Sequence, residues 1–275
     1  MSAITKFLPR NHLSYFIGKL VHWKGPRIWA EFTIRLFAKV YGINLKEAEK
    51  PVSGYPSLGE FFIRRLKPGA RPLAEAAAVH PVDGHISQSG RIHNGRLIQA
   101  KGKEYFLQDL LAHSEATKTY QNGFFITYYL CPTDYHRVHA PVSGWIRKVT
   151  HVPGELWPVN KWSVENVHDL MSVNERIIVE MATDFGPTSV VLVGATNVGQ
   201  IELSFDSGFR GNQLTLSKNR VVEYKTPIPI EKGQELGMFR MGSTVIMVYA
   251  EEFANRFAGK MNLDLYVKVN QALTK

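Results

Sequence analysis

The chain has 275 residues, of which 44% are hydrophobic and 21% charged, proportions that are ordinary for a folded protein with a full core. Its formal net charge is +9, but no zinc finger, RNP-like strand or other nucleic-acid motif accompanies the basic excess, so we expect no nucleic-acid partner. The single cysteine, Cys131, excludes an internal disulfide and a multi-thiolate zinc site. No stretch reaches the ~20 apolar residues of a membrane span, and residues 1–10 lack the apolar core of a signal peptide.

The first part of the chain predicts helices. Apolar residues recur at helical spacing over residues 13–21 and again over residues 27–41, where Gly42 closes the pattern. A third helix is predicted to begin at Ser57, because Ser57 and Glu60 have the spacing of a capping box. These helices precede the part of the chain that is rich in strand patterns.

The second predicted helix is amphipathic, and its apolar face consists of Ile28, Trp29, Phe32, Leu36, Phe37, Val40 and Tyr41. Residues 1–42 carry seven basic side chains against Glu31 alone, a net charge of +6. Aromatic faces with basic flanks are typical of helices that lie on an anionic membrane surface. The alternative is that the same apolar face packs on the core of the domain.

From about residue 79 the chain consists of short segments rich in β-branched and aromatic residues, separated by Gly, Pro, Asn and Asp. Strands are predicted over residues 124–130, 145–152, 177–181, 189–194, 244–250 and 263–269. Helices are predicted over residues 107–113 and 252–258. We therefore predict an α+β fold, in which an N-terminal helical segment (residues 1–66) precedes a β-rich domain (residues 67–275) built as a sandwich or barrel.

Three clusters carry side chains capable of chemistry. Asp83 lies in a Val-Asp-Gly turn, His136 and His139 lie three residues apart, and Ser243 follows Gly242 at the mouth of a predicted strand. A carboxylate, an imidazole and a hydroxyl are what an activated serine requires. Ser243 lacks the Gly-x-Ser-x-Gly elbow of esterases, so the attacked carbonyl belongs either to a substrate or to Gly242 itself. Two histidines without an evident third ligand do not make a metal site, and we predict none.

Several longer blocks follow one another along the chain: residues 82–84, 134–139, 152–160, 174–176, 193–199, 232–237 and 242–244. On these blocks the chain resembles the bacterial, membrane-associated phosphatidylserine decarboxylases, which are pyruvoyl-dependent proenzymes, almost from end to end. Two departures are visible. Met241 stands where the family usually has Leu, and the stretch between residues 208 and 231 is short and polar.

The resemblance implies a proenzyme that cleaves itself. Asp83 would orient His139, and His139 would deprotonate Ser243. The Ser243 oxygen would then attack the carbonyl of Gly242 in an N-to-O acyl shift that gives an ester. β-Elimination leaves dehydroalanine at position 243, and hydrolysis converts it into an N-terminal pyruvoyl group and ammonia.

The implied products are a large chain, residues 1–242, and a small chain, residues 243–275, which stay associated through strand pairing. The implied cofactor is the pyruvoyl group, which forms a Schiff base with the amine of phosphatidylserine and accepts the electrons released as CO2 leaves, so that phosphatidylethanolamine forms. His136 matches a residue assigned to this decarboxylation, where proton donation is the expected role.

The implied partners are phosphatidylserine and an anionic membrane surface. A diacyl substrate does not diffuse freely through water, so the resemblance also favours the membrane alternative for the N-terminal helices. We expect peripheral attachment to the cytoplasmic side of the cell membrane without a span. The sequence leaves open whether the protein forms a homodimer.

Two other functions compete with this interpretation. One is a serine hydrolase that uses Asp83, His139 and Ser243 and never cleaves itself. The other is a non-enzymatic β-domain with a lipid-binding appendage, in which Gly242-Ser243-Thr244 is only a turn. The covalent continuity of residues 242 and 243 distinguishes the three.

Overall fold

The computed structural model describes residues 18–100, 103–196, 200–211, 217–240 and 243–275, with the side chains of Ala100, Lys161 and Ser243 outside that description. Besides the helical residues 18–21, the α-helices within these ranges are α1 (Arg27–Tyr41), α2 (Leu58–Phe62), α3 (Leu107–Leu110), α4 (Lys161–Asn166), α5 (Leu170–Val173) and α6 (Glu251–Phe257). The strands are β1 (Gly84–Arg91), β2 (Arg96–Ala100), β3 (Lys103–Phe106), β4 (Phe124–Leu130), β5 (Arg137–His139), β6 (Gly144–Val152), β7 (Arg176–Thr183), β8 (Thr188–Val193), β9 (Ile201–Leu203), β10 (Arg220–Ile230), β11 (Glu235–Phe239), β12 (Ser243–Tyr249) and β13 (Tyr266–Val267).

The main sheet has eight strands in the order β10-β6-β7-β8-β12-β4-β1-β13, and every neighbouring pair is antiparallel. A second sheet has the order β5-β11-β9, and β2 pairs with β3. The central strands β4 and β8 are buried along almost their whole length, because side chains on both faces of the sheet are covered. The hydrophobic core therefore lies on both sides of the sheet.

The predicted fold class is confirmed: the protein combines helices with a large antiparallel sheet, which does not close into a barrel. Strands occupy β4, β6, β7, β8 and β12 as predicted, within one or two residues at each end. The strand predicted over residues 263–269 is wrong except for Tyr266–Val267. Leu265 is 75% exposed, because this segment lies at the edge of the sheet and pairs with only two residues of β1.

The polar stretch between residues 208 and 231 contains β10, an edge strand that the sequence did not predict. Its side chains are mostly exposed, so the strand carries little of the apolar pattern by which buried strands are recognised. The helix predicted over residues 107–113 ends at Leu110, and Ala112 and His113 that follow have positive φ angles.

The N-terminal helices form where they were predicted. Residues 18–21 are helical, while residues 13–17 of the same prediction lie outside the described residues. Helix α1 ends at Gly42, whose φ of 68° is left-handed. At α2, the Ser57 hydroxyl accepts a hydrogen bond from the Glu60 backbone N–H at 3.2 Å, which confirms the N-cap.

Helix α1 packs against the rest of the chain through one narrow face. Ala30, Ile34 and Ala38 are buried, and Ile34 belongs to a cluster with Ala48, Val52, Tyr55 and Phe61. The larger apolar side chains point away from it and are 46–85% exposed: Ile28, Trp29, Phe32, Leu36, Val40 and Tyr41. The domain boundary at residues 66/67 stays a prediction.

Candidate active site

Asp83 lies just before β1, in a turn held tightly against β4. A Cβ atom on the following Gly84 would lie 2.7 Å from the Tyr129 carbonyl oxygen, so only glycine allows this approach. The Asp83 carboxylate is buried and accepts hydrogen bonds from the Val269 N–H at 2.8 Å and from Arg71. The Arg71 Nε lies 3.0 and 3.1 Å from the two carboxylate oxygens, and Nη2 lies 2.5 Å from Oδ2.

Arg71 connects Asp83 to the N-terminal segment, because its Nη2 also contacts Glu47 Oε2 at 3.1 Å. Burial alone would lower the pKa of Arg71, but the hydrogen bonds and charges of Asp83 and Glu47 raise it above its ordinary value. The guanidinium is therefore a permanent cation that compensates the buried carboxylate.

His139 ends β5 and has both ring nitrogens bonded. Its Nδ1 lies 2.7 Å from the Gly233 carbonyl oxygen, and its Nε2 lies 3.1 Å from the Tyr135 hydroxyl. A carbonyl only accepts, so Nδ1 carries the proton and Nε2 keeps its lone pair. Burial lowers the pKa of His139, which favours this neutral form. The ring is therefore set to take a proton on Nε2.

Asp83 and His139 are linked through the backbone and not by a side-chain hydrogen bond. The His139 N–H donates to the Pro81 carbonyl at 2.8 Å, which ties β5 to the turn that holds Asp83. Gly233 orients the His139 ring, and Arg71 and Val269 bond the Asp83 carboxylate. The orienting role expected for Asp83 stays a prediction.

His136 is completely buried against Phe62, with 4.0 Å between the two ring centroids. Its Nδ1 donates to the Asp134 carbonyl at 2.9 Å, and its Nε2 has no hydrogen-bond partner among the described residues. Burial lowers the pKa of His136 to about 3. The ring is therefore neutral at physiological pH, with the Nε2 lone pair able to accept a proton.

Ser243 begins β12, where its Cα pairs with Leu130 of β4. On the other side of β4, His85 pairs with Tyr129, so the turn that holds Asp83 and the start of β12 flank the same end of this strand. Two strand spacings separate them, about 10 Å. Met241, Gly242 and the Ser243 side chain lie outside the described residues.

The segment that leads to Ser243 is anchored beside His136. The Phe239 N–H donates to the His136 carbonyl at 2.9 Å, and the Arg240 N–H donates to the Gln200 carbonyl at 2.9 Å. One end of the main sheet therefore brings together Asp83, His136, His139 and the backbone of Ser243. Across the described ranges, no group of three His, Cys, Asp or Glu side chains lies close enough to hold a metal ion.

Two cavities adjoin this end of the sheet, and His85 contributes to the wall of both. One, of about 400 Å³, is largely apolar and includes Tyr129, which pairs with Thr244. The other, of about 330 Å³, is polar and includes Asp83 and Tyr135.

Sequence reasoning missed three residues at this site: Arg71, Tyr135 and Gly233. Tyr135 and Gly233 lie inside two of the blocks that carried the family resemblance, at residues 134–139 and 232–237, so those blocks were the available signal. Arg71 lies in a Pro/Gly-rich stretch that gave no sign of a contact with Asp83.

The family model described as phosphatidylserine decarboxylase matches residues 58–275. A phosphatidylserine decarboxylase proenzyme of Anaeromyxobacter sp. (strain K) is 43% identical over 246 residues, which is 89% of this chain and 87% of the relative. The proenzyme of the same name from Myxococcus xanthus (strain DK1622) is 42% identical, and the match covers 90% of this chain and 88% of the relative. The proenzyme of Shewanella loihica (strain ATCC BAA-1088 / PV-4) is 38% identical, and the match covers 99% of this chain and 97% of the relative.

Proposed function

The chain belongs to the phosphatidylserine decarboxylase family, and we propose that it converts phosphatidylserine into phosphatidylethanolamine and CO2 after cleaving itself between Gly242 and Ser243. The observation that carries this proposal is the match to the family over residues 58–275, in which Ser243 begins a strand at the same end of the sheet as Asp83 and the two histidines. The protein is thus an enzyme of the decarboxylase class whose relatives are made as proenzymes.

In the proposed self-cleavage, His139 takes the proton of the Ser243 hydroxyl on Nε2. Two contacts support this role: the Gly233 carbonyl holds the ring in the tautomer that leaves Nε2 basic, and Tyr135 is the group that Ser243 would displace. The Ser243 oxygen then forms an ester with the Gly242 carbonyl as the peptide C–N bond breaks. Elimination releases the large chain as a carboxylate, and hydrolysis of the remaining dehydroalanine gives the pyruvoyl group and ammonia.

The small chain, residues 243–275, would stay bound after cleavage. Strand β12 pairs with β4 on one side and β8 on the other, and its residues from Thr244 to Tyr249 are buried. Helix α6 adds Phe253 and Phe257, which are buried as well. Cleavage before β12 removes one covalent bond and none of this packing.

Position 243 suits a group that carries a carbonyl. The Thr244 hydroxyl, on the next residue, is buried and has no hydrogen-bond partner among the described residues, so its O–H is available to donate to a carbonyl oxygen. A pyruvoyl group would supply the carbonyl that draws electrons from the substrate as CO2 leaves. Neutral His136 can accept a hydrogen bond from the substrate ammonium on Nε2. Its low pKa makes proton uptake unfavourable, so the protonated ring would be a transient carrier that passes the ammonium proton at once to the carbanion left by CO2.

We further propose that α1 attaches the enzyme to an anionic membrane surface at the cytoplasmic side. Ile28 is 85% exposed and Val40 68%, so most of the predicted apolar face is uncovered by the described residues, and Phe37 is the member of it that packs on the Ile34 cluster. Lys39 and Arg35 lie on the same helix and add positive charge beside that face. None of the helices within the described ranges has the length and apolar character needed to cross a bilayer.

Denaturing mass spectrometry tests the proposed function. We expect two fragments that end and begin at residues 242 and 243, with the small one blocked at its N-terminus, and production of phosphatidylethanolamine from phosphatidylserine vesicles. Ser243→Ala is the matched control and should remain one inactive chain. An intact chain that hydrolyses esters would instead support the serine hydrolase, and an intact inert chain the non-enzymatic β-domain.

A further inference from the structure

Arg64 is a buried cation for which the described residues supply no ion-pair partner. It is only 5% exposed, and its Nη2 donates to the carbonyls of Thr133 at 3.2 Å and Asp134 at 3.5 Å. Its Nε and Nη1 have no hydrogen-bond partner among the described residues, and no carboxylate of those residues lies within ion-pair distance. The guanidinium lies over the Phe61 ring, 4.9 Å from the centroid.

The other buried arginines of the described residues are satisfied. Arg137 binds Glu235 at 2.7 Å and the Ile63 carbonyl. Arg176 has no acidic partner, but its three guanidinium nitrogens donate to four backbone carbonyls. Burial lowers the pKa of Arg64, which expresses the cost of a cation kept from water. Such a cost is recovered when an anion binds beside it.

Arg64 contributes to the wall of the polar cavity of about 330 Å³. The cavity lies close to the catalytic groups, because the Asp134 carbonyl that accepts from Arg64 also accepts from His136. Residues 41–44, at the end of α1, form another part of its wall, so the cavity begins where the exposed apolar helix ends. This is where the headgroup of a lipid would lie if its acyl chains were at that helix.

The charges around the cavity permit an anion. Asp83 and Glu47 share Arg71 as their cation, so these three side chains together keep one negative charge. Asp134 adds a carboxyl group whose pKa is raised by burial, and Lys268 adds a second cation beside Arg64. Arg64 is the buried cation of this wall that has no carboxylate partner among the described residues, which leaves it available to an oxyanion.

We propose that Arg64 binds the phosphodiester of the phospholipid substrate, an inference that rests on the proposed function. A guanidinium bound to the substrate carboxylate would stabilise the ground state and resist the loss of CO2. The phosphodiester keeps its charge from substrate to product, so a cation that holds it positions the headgroup throughout the reaction. The planar fork of arginine matches two phosphate oxygens.

The test measures binding by the uncleaved chain, as the structure describes it, in a Ser243→Ala background. Glycerophosphoethanolamine carries the phosphodiester without a carboxylate, and serine carries the carboxylate without a phosphate. We expect Arg64→Gln to weaken the binding of glycerophosphoethanolamine about tenfold or more and to leave that of serine within about twofold. Arg65→Gln, the same change at the neighbouring exposed arginine, is the matched control and should leave both unchanged.

Three results would overturn the proposal: no binding of glycerophosphoethanolamine to the parent, equal binding to the Arg64→Gln chain, or a loss confined to serine, which would assign the carboxylate instead. Arg64→Met supplies a second readout, because it removes an unpaired buried cation and keeps the apolar stem. Its thermal midpoint should stay within about 2 °C of the parent, because relief of the unpaired buried charge offsets the loss of the contacts with the Thr133 and Asp134 carbonyls and with Phe61. A midpoint lower by more than about 5 °C would mark Arg64 as structural. Neither readout depends on cleavage or turnover, so both remain informative if the proposed function fails.

Discussion

Replacing Arg71 with alanine tests how much the cation beside the buried Asp83 carboxylate contributes to the stability of the folded protein. The Arg71 side chain is 12% exposed and that of Asp83 2%, so water hardly screens the pair. Without Arg71, the carboxylate keeps one of its hydrogen bonds, from the Val269 N–H. Breaking a buried pair in this way costs about 3–5 kcal/mol, because one charge remains uncompensated.

For a protein of this size, such a loss corresponds to a thermal midpoint lower by roughly 6–20 °C. We would measure it by calorimetry on Ser243→Ala chains, so that cleavage does not confound the comparison, and score self-cleavage separately with Ser243 present. Arg96→Ala is the matched control, because its pair with Glu104 is 54% and 46% exposed and is worth less than about 1 kcal/mol.

Adding Asp83→Asn to Arg71→Ala separates the unpaired charge from the lost packing. If the uncompensated carboxylate causes the loss, the double variant should be more stable than Arg71→Ala alone. A midpoint for Arg71→Ala within about 2 °C of the parent, with normal cleavage, would refute the reasoning. So would a double variant whose loss equals the sum of the two single losses.

Three further predictions concern the proposed chemistry and the membrane. Burial lowers the pKa of His139, and the neutral ring acts as the base, so the rate of self-cleavage should stay constant as the pH falls through 6.5 and decrease only below that value. The measurement is the rate of cleavage of freshly synthesised chain at a series of pH values. A decrease centred above pH 6.5 would contradict the prediction. His136→Ala should still cleave, since His139 keeps its own contacts, but should form phosphatidylethanolamine about 100-fold more slowly; uncleaved chain in that variant would place His136 in processing instead. Ile28→Glu with Phe32→Glu should reduce sedimentation with phosphatidylserine vesicles and leave the thermal midpoint within about 2 °C, because both side chains are exposed; unchanged sedimentation would exclude α1 as the anchor.

The local sequence pattern was sufficient to predict the strands and helix ends around the candidate site. The β-branched and aromatic runs at β4, β8 and β12 are buried strands, and Gly42 and Ser57 mark helix ends where they were expected. These features depend on backbone preferences and burial within one segment, which a single sequence records. The edge strands β10 and β13 were missed or mispredicted, because their pairing depends on a neighbour more than on their own apolar pattern.

The sequence alone singled out Asp83, His136, His139 and Ser243 as candidate chemical groups, through residue types and blocks that recur in a known family, and their roles stay predictions. It did not determine what each group contacts. Only the tertiary structure decided that Arg71 binds the Asp83 carboxylate and that the Gly233 carbonyl orients His139, since these partners come from segments 12 and 94 residues away. Which donor pairs with which acceptor depends on the geometry and desolvation of buried groups that come from distant segments. A local sequence pattern does not encode either of these.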